Sequence, residues 1–373
     1  MAFEFDTAKQ LAVMAMSAQK NAPVAFSFNG ENYSSAMLNS ALRDQFKELT
    51  HKDGHFSYRS YRENQNTIFA LIEQTIDEVL PPRVEAQYEQ FADVVTVAQG
   101  DSYVYKVKVT EASKRRAKTF VSRVGLAARY ETFMLDGAEM EIKTSAIGGA
   151  ARIGFEEFLD GRWEFSEFTT LMLEALDELI YAEIIKALAS MVSALPAANK
   201  VEADSFDEDA MDELLQIIDT YGLATIYCTR EFANKMLPTN ARMSNEMKNT
   251  LWTKGWLGDY KGHNVVILDQ SLVWNTPEAN TKKVVDPSLA YVIPAGAEKP
   301  VKVVFEGQTQ VREVENQTDD WSREIQTYTK VGVGTVATLG QLIWIGCYKN
   351  TSLTVNTHSV TAGNHTHPES FNG

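Results

Sequence analysis

The chain has 373 residues, 44% of them apolar, and its 50 acidic and 35 basic residues give a net charge of −15. That length supports two or three folding units with real cores and excludes a wholly disordered chain, while the acidic balance argues against a dedicated nucleic-acid binder. Two cysteines, Cys228 and Cys347, exclude a disulfide framework and fit a reducing compartment.

No apolar run approaches the ~18 residues that cross a bilayer, and the opening MAFEFDTAKQ is no secretory signal. Residues 1–60 are weakly apolar, with helical patterns over Phe5 to Gln19 and Ser34 to Leu49. They read as an arm that needs a partner surface. Thr67 to Leu80 reads as a helix with Ile68, Leu71, Ile72, Ile76 and Leu80 on one side, and Pro81 and Pro82 are expected to end it.

Asp101 to Thr110 alternates with period two, the pattern of a strand. A basic turn follows, then an extended run from Thr119 to Leu135, and Glu139 to Ala146 reads as a third strand. Gly148, Gly149 and Gly154 are expected to turn the chain sharply. A lone two-stranded ribbon is marginal in water, so this one is expected to lie on another surface.

The central stretch, Ser166 to Leu195, contains neither Gly nor Pro. Leu173, Leu176, Ile180, Ile184, Leu188, Met191 and Leu195 recur at steps of three or four, the stripe of a helix with one buried face. Ser166 suits the N-cap, Pro196 is a stop, and the rod would be ~45 Å long.

Charge separates these two elements. Residues 101–130 hold eight basic and two acidic side chains, +6, whereas residues 155–185 hold one basic and nine acidic, −8. Head-to-tail docking between copies follows as an expectation, with Lys114, Arg115, Arg116 and Lys118 meeting Glu174, Asp177 and Glu178. A solvated turn and a nucleic-acid contact are the competing readings of the basic cluster.

Residues from about 197 to 310 read as a separate α/β unit. Asp207, Glu208 and Asp209 open a helix carrying Met211, Leu214, Leu215, Ile217 and Ile218, which Gly222 ends. Ala224 to Cys228 is a short buried strand, Thr229 caps the next helix, Asn245 to Lys254 is helical, and Val265 to Leu268 is another strand. Tyr291 to Val314 is strand-like. Glu324 to Val336 and Gln341 to Tyr348 are expected to pair, with the run LIWIGCY beneath the long helix.

Chemistry is thinly represented. There is no nucleophile elbow, phosphate loop or zincin motif, and Gly332-x-Gly334 has the wrong spacing for a dinucleotide fingerprint. Cys228, where a strand meets a helix start, with His263 as base, is the enzymatic alternative: a soluble thiol hydrolase. Its competitor is a small core residue before a capping Thr. The pairs His51/His55 and His365/His367 read as surface rather than metal ligands. No catalytic residue, metal or cofactor is expected.

The order of elements resembles the Hong Kong 97-type fold of tailed-bacteriophage major capsid proteins, an α+β class. The strongest cue is Gly255-Trp256-Leu257-Gly258-Asp259-Tyr260-Lys261-Gly262-His263-Asn264-Val265-Val266, similar to that family's helix-to-strand passage. Ala224–Arg230 and the passage from Tyr291 to Gly307 add to it. The resemblance implies an N-terminal arm (1–60), the start of a peripheral domain (61–100), an extended loop (101–150), a spine helix (151–203), an axial domain (204–309), return strands (310–350) and a C-terminal tail (351–373). It further implies pentamers and hexamers in an icosahedral shell around double-stranded DNA held without sequence recognition, and no catalysis. Expected partners are a separate scaffolding protein, a portal and decoration proteins, with no membrane. The expected locations are the virion and, before assembly, the host cytoplasm. Some relatives crosslink a loop lysine to a neighbour's Asn; Lys106, Lys108, Lys114 and Lys118 stand in the right region, without a motif that carries this over. An encapsulin-type nanocompartment is the alternative within the same fold.

Overall fold

The computed structural model describes residues 26–28, 31–33, 44, 46–106, 139–153, 165–238, 243–270, 283–296, 299–315, 323–335 and 343–353. They form a mixed helix-and-sheet chain with two units, Met1–Leu195 with Glu298–Leu342, and Pro196–Ala297 with Ile343–Gly373.

Among the described residues the first unit has two short hairpins ahead of its long helix, β1 (Phe26–Phe28) with β2 (Glu31–Tyr33) and β3 (His51–Lys52) with β4 (His55–Phe56). Asp53 and Gly54 between β3 and β4 both have positive φ, the signature of a tight hairpin turn. That turn places His51 and His55 on a hairpin. Helix α1 (Tyr58–Tyr88) follows, N-capped by Ser57. It buries the predicted face of Ile68, Leu71, Ile72, Ile76 and Leu80.

The predicted stop at Pro81 fails, for both prolines lie inside the helix. An interior proline removes a donor and costs about 3 kcal/mol. Packing beyond it offsets that cost. Val84 and Tyr88 are buried, Arg83 meets Asp177, and the Tyr88 ring stacks on Tyr181 with centroids 5.4 Å apart.

A four-stranded sheet packs on α1. Its order is β5 (Ala92–Val97), β14 (Val301–Glu315), β15 (Arg323–Thr335), β8 (Ser145–Ile153). Strand β5 is parallel to β14, and the other two pairings are antiparallel. The β14–β15 register shifts between Glu306 and Gln310, at a bulge. Carboxylates of α1 satisfy backbone groups there: Thr309 N–H donates to Asp77 at 2.8 Å and Val311 N–H to Glu73 at 2.6 Å. Gly148 and Gly149 sit within strand β8 rather than at a sharp turn. A Cβ on Gly148 would come 2.1 Å from the Thr327 carbonyl oxygen, so close packing explains this glycine.

Helix α2 (Phe165–Met191) continues into a 3-10 turn, Val192–Ala194, before Pro196. The expected cap, Ser166, lies inside the helix. All seven residues of the predicted stripe are buried, and Phe168, Met172, Tyr181 and Ile185 widen it. The helix packs on β15, β14, β8 and α1.

The second unit is built on a six-stranded sheet. In chain order it contains β9 (Lys200–Ala203), α3 (Glu208–Asp219), β10 (Ala224–Cys228), α4 (Arg230–Lys235), α5 (Asn245–Lys254), β11 (Asp259–Tyr260), β12 (His263–Ile267), β13 (Leu289–Pro294) and β16 (Gly346–Asn350). The sheet order is β11-β12-β10-β13-β16-β9. Asp207 caps α3 by accepting from Asp209 and Ala210 N–H, and Thr229 caps α4 by accepting from Phe232 N–H. Met211, Leu214, Leu215 and Ile218 of α3 meet Ile226, Phe232, Val292 and Tyr348 in one core.

Two strand expectations are corrected here. The segment Tyr291 to Val314 is two strands in two units, with the return to the first unit at Glu298 and β14 continuous across residues 309 and 310. The LIWIGCY run does not pair with 324–336. Its strand, β16, lies between β13 and β9. Tyr348 fixes it there: its hydroxyl accepts from Asp207 N–H at 2.7 Å and donates to the Ser205 carbonyl, while its ring packs on Phe206 and Phe232.

Candidate assembly surfaces

Helix α2 has two contrasting sides. Opposite its apolar stripe, Glu174, Glu178 and Glu183 are exposed, and with them two apolar side chains, Leu171 (54% exposed) and Leu179 (42%). Beside Leu179 a groove of about 330 Å³ runs between helix and sheet, lined among others by Ile180 and Glu183 of α2, Lys143, Ile147 of β8, and Val331 and Val333 of β15. On the helix side, exposed leucine among carboxylates suits a partner with basic ends and an apolar stem.

Asp177 does not belong to this surface, which corrects one predicted contact residue. Its side chain is 1% exposed, and Arg83 Nε lies 3.4 Å from its Oδ2. The helix period already contained that answer. Asp177 stands four residues after Leu173 and three before Ile180, inside the apolar stripe.

The ribbon is rooted on the same unit. Strands β6 (Tyr103–Lys106) and β7 (Glu139–Ile142) pair antiparallel, with Tyr105 and Ile142 buried. The predicted third strand divides: its first half is β7, and the rest begins β8. Glu306 holds both legs. Its carboxylate accepts from Gly100 N–H just before β6 at 3.0 Å, from Thr144 Oγ1 just after β7, and from Lys330 Nζ at 2.9 Å. The Thr144 hydroxyl first, then Lys330 and the Gly100 amide, hold its carboxyl down at about 2. Lys302 adds a second anchor, 2.9 Å from Asp93 and 4.4 Å above the Tyr105 ring. The sequence gives no local sign of Glu306, because the two ribbon legs that it holds are 162 and 206 positions away. Lys114, Arg115, Arg116, Lys118 and the run Thr119 to Leu135 lie outside the described residues.

The thiol alternative fails on geometry. Cys228 is fully buried, and burial pushes its thiol up to about 12. In the parallel β10–β12 register Cys228 faces Ile267. His263 stands four residues back, ~13 Å along the strand. Its ring meets the Ala224 carbonyl at 3.2 Å and Asp219 at 3.6 Å. Among the described residues no His, Cys, Asp and Glu group could hold a metal, and no helix is long and apolar enough to cross a membrane. His365 and His367 fall outside them.

Solved structures of similar shape include the capsid of the native GTA particle, 15% identical, with 71% of this chain and 90% of that one covered at a TM-score of 0.48. The bacteriophage PhiM1 mature capsid is 10% identical, covering 71% and 87% at 0.47. The holo-SrpI encapsulin of Synechococcus elongatus PCC 7942 is 13% identical, covering 74% and 89% at 0.43. No curated protein sequence matches the chain. The model of one family, described as "SPbeta prophage-derived putative capsid protein YonB", matches residues 17–342. That span is most of the molecule, and the chain belongs to this family of phage capsid proteins.

Proposed function

We propose that copies of this chain close into an icosahedral head of pentamers and hexamers around double-stranded DNA, in the Hong Kong 97 arrangement. In this reading α2 is the spine of a peripheral domain, the second unit is the axial domain, and β6 and β7 are the root of the extended loop. The role is structural, without catalysis. Each loop reaches a neighbour, where Lys114, Arg115, Arg116 and Lys118 meet Glu174 and Glu178. The observation that carries this reading is the outer side of α2, where exposed leucines and carboxylates border a groove. The root of the loop supports it, since Glu306 fixes both legs before the basic segment departs. A contact between unlike patches repeats around a ring until it closes, and opposite charge sets its register.

Charge reversal tests the docking. Arg115→Glu with Arg116→Glu is expected to leave the melting temperature unchanged and to abolish particles in electron micrographs. Adding Glu174→Lys and Glu178→Lys is expected to restore them. Normal particles from the first variant would sink the docking. Particle contents test the rest: double-stranded DNA supports a phage head, and an enclosed enzyme would favour an encapsulin-type compartment.

A further inference from the structure

Trp252 is 93% exposed, the most exposed large apolar side chain among the described residues. It lies on α5, a helix with no buried residue. So open an indole is unusual on a surface that meets only water, because Trp carries a large apolar area and one N–H donor. The same unit contains a cavity of about 370 Å³, lined by Phe206, Met236, Pro238, Met247, Leu257 and Val265 among others. This volume lies near the lower end of ligand pockets, ~300–1,000 Å³, which suits one large side chain. Methionines such as Met236 and Met247 adapt their shape and make favourable sulfur–aromatic contacts.

Trp252 cannot fill this cavity in its own chain. Met247 lines the cavity from α5, and Trp252 is five residues on, about 140° round the helix. One opposite-charge pair is on offer between copies. The cavity mouth carries Glu208, Asp259 and the adjoining Asp212 against Lys261 and Lys235, with Lys261 bridging Glu208 and Asp212. Lys248, one turn before Trp252, lies on its side of the helix and offers a neighbour's exposed Asp259 a counter-charge. Asp259 is exposed and offers the indole N–H an acceptor.

We infer that Trp252 of each copy inserts into the Met236–Met247 cavity of the next, a head-to-tail contact around the ring. This rests on the shell reading and adds its own anchor residue. A buried aromatic knob in a desolvated pocket is the usual centre of an interface. Knob and hole are different patches, so the contact generates a ring rather than a two-fold pair.

The test pairs a truncation with a crosslink. Trp252→Ala removes no buried contact, so its melting curve is expected to match the parent, while the critical concentration for particles rises about tenfold or more. Trp252→Cys with Met247→Cys is then oxidised in assembled particles. These positions are ~7.5 Å apart along one helix axis, beyond disulfide reach within a chain. Cys228 and Cys347 are buried, which leaves the new pair to report. A non-reducing ladder up to five or six chains supports the contact. Dimers alone, or normal particles without crosslinks, would overturn it and leave the shell reading standing. A parent protein that forms no particle at any concentration would overturn both.

Discussion

Helices α2 and α5 solve the problem of staying helical in opposite ways. Helix α2 is 27 residues long and buries a broad apolar face against its own sheet and α1. Helix α5 has ten residues, none buried, and depends on its ends. Ser244 Oγ accepts from Met247 N–H at 3.2 Å, Gly255 N–H donates to the Leu251 carbonyl at 2.8 Å, and Glu246 and Lys254 complement the helix dipole. A free helix of that length is marginal in water. The difference separates residues that hold the chain folded from residues left on its surface.

The largest expected effect falls on the buried side of α2. Asp177→Ala leaves the Arg83 guanidinium buried without that carboxylate, and is expected to cost about 3–5 kcal/mol in chemical denaturation. Adding Arg83→Met is expected to recover more than half. A single variant as stable as the parent would break the comparison, since α2 would then not depend on its interior contacts.

Acid is expected to act next, and locally, at the ribbon root. The Glu306 carboxyl is lowered from 4.5 to about 2 in the folded chain. The stabilisation from its ionised form is therefore complete above about pH 4.5 and is lost as pH falls through 2. Pepsin is expected to cut near Gly100 and Thr144 increasingly over that interval. Measured against an unfolded control substrate, Glu306→Gln is expected to remove the pH dependence of those cuts, and an unchanged profile in that variant would remove Glu306 from the root.

The smallest effect sharpens the other side of the comparison. Ser244→Ala is expected to cost about 1 kcal/mol, confined to α5 and read as faster amide exchange over Asn245–Lys254 with no change at α2. A loss of protection spread over the whole second unit would show that α5 is part of the unit's core.

Local chemistry made some of these elements legible. Asp207 and Thr229 are caps with donors two or three residues on, and strand β10 matches its predicted bounds. The turn Lys261-Gly262, with both residues at positive φ, closes the hairpin of β11 and β12 within the stretch that carries the family resemblance. Pro81, Asp177 and the LIWIGCY run depart from local expectation for one reason. By kind they are a breaker, a surface charge and a strand for the nearest sheet, yet each answers to a distant partner. Glu306 was not legible at all, because what it holds is far away along the chain.

The amino-acid order alone determined where the long helix lies, which face it buries and where short capped elements begin, because such features depend on neighbours within a few residues. Tertiary structure decided that α1 runs through its prolines, that β14 and β16 belong to different sheets, and that one carboxylate ties the ribbon to the first unit. Those outcomes rest on contacts between residues tens to hundreds of positions apart, where burial and hydrogen bonding outweigh local preference.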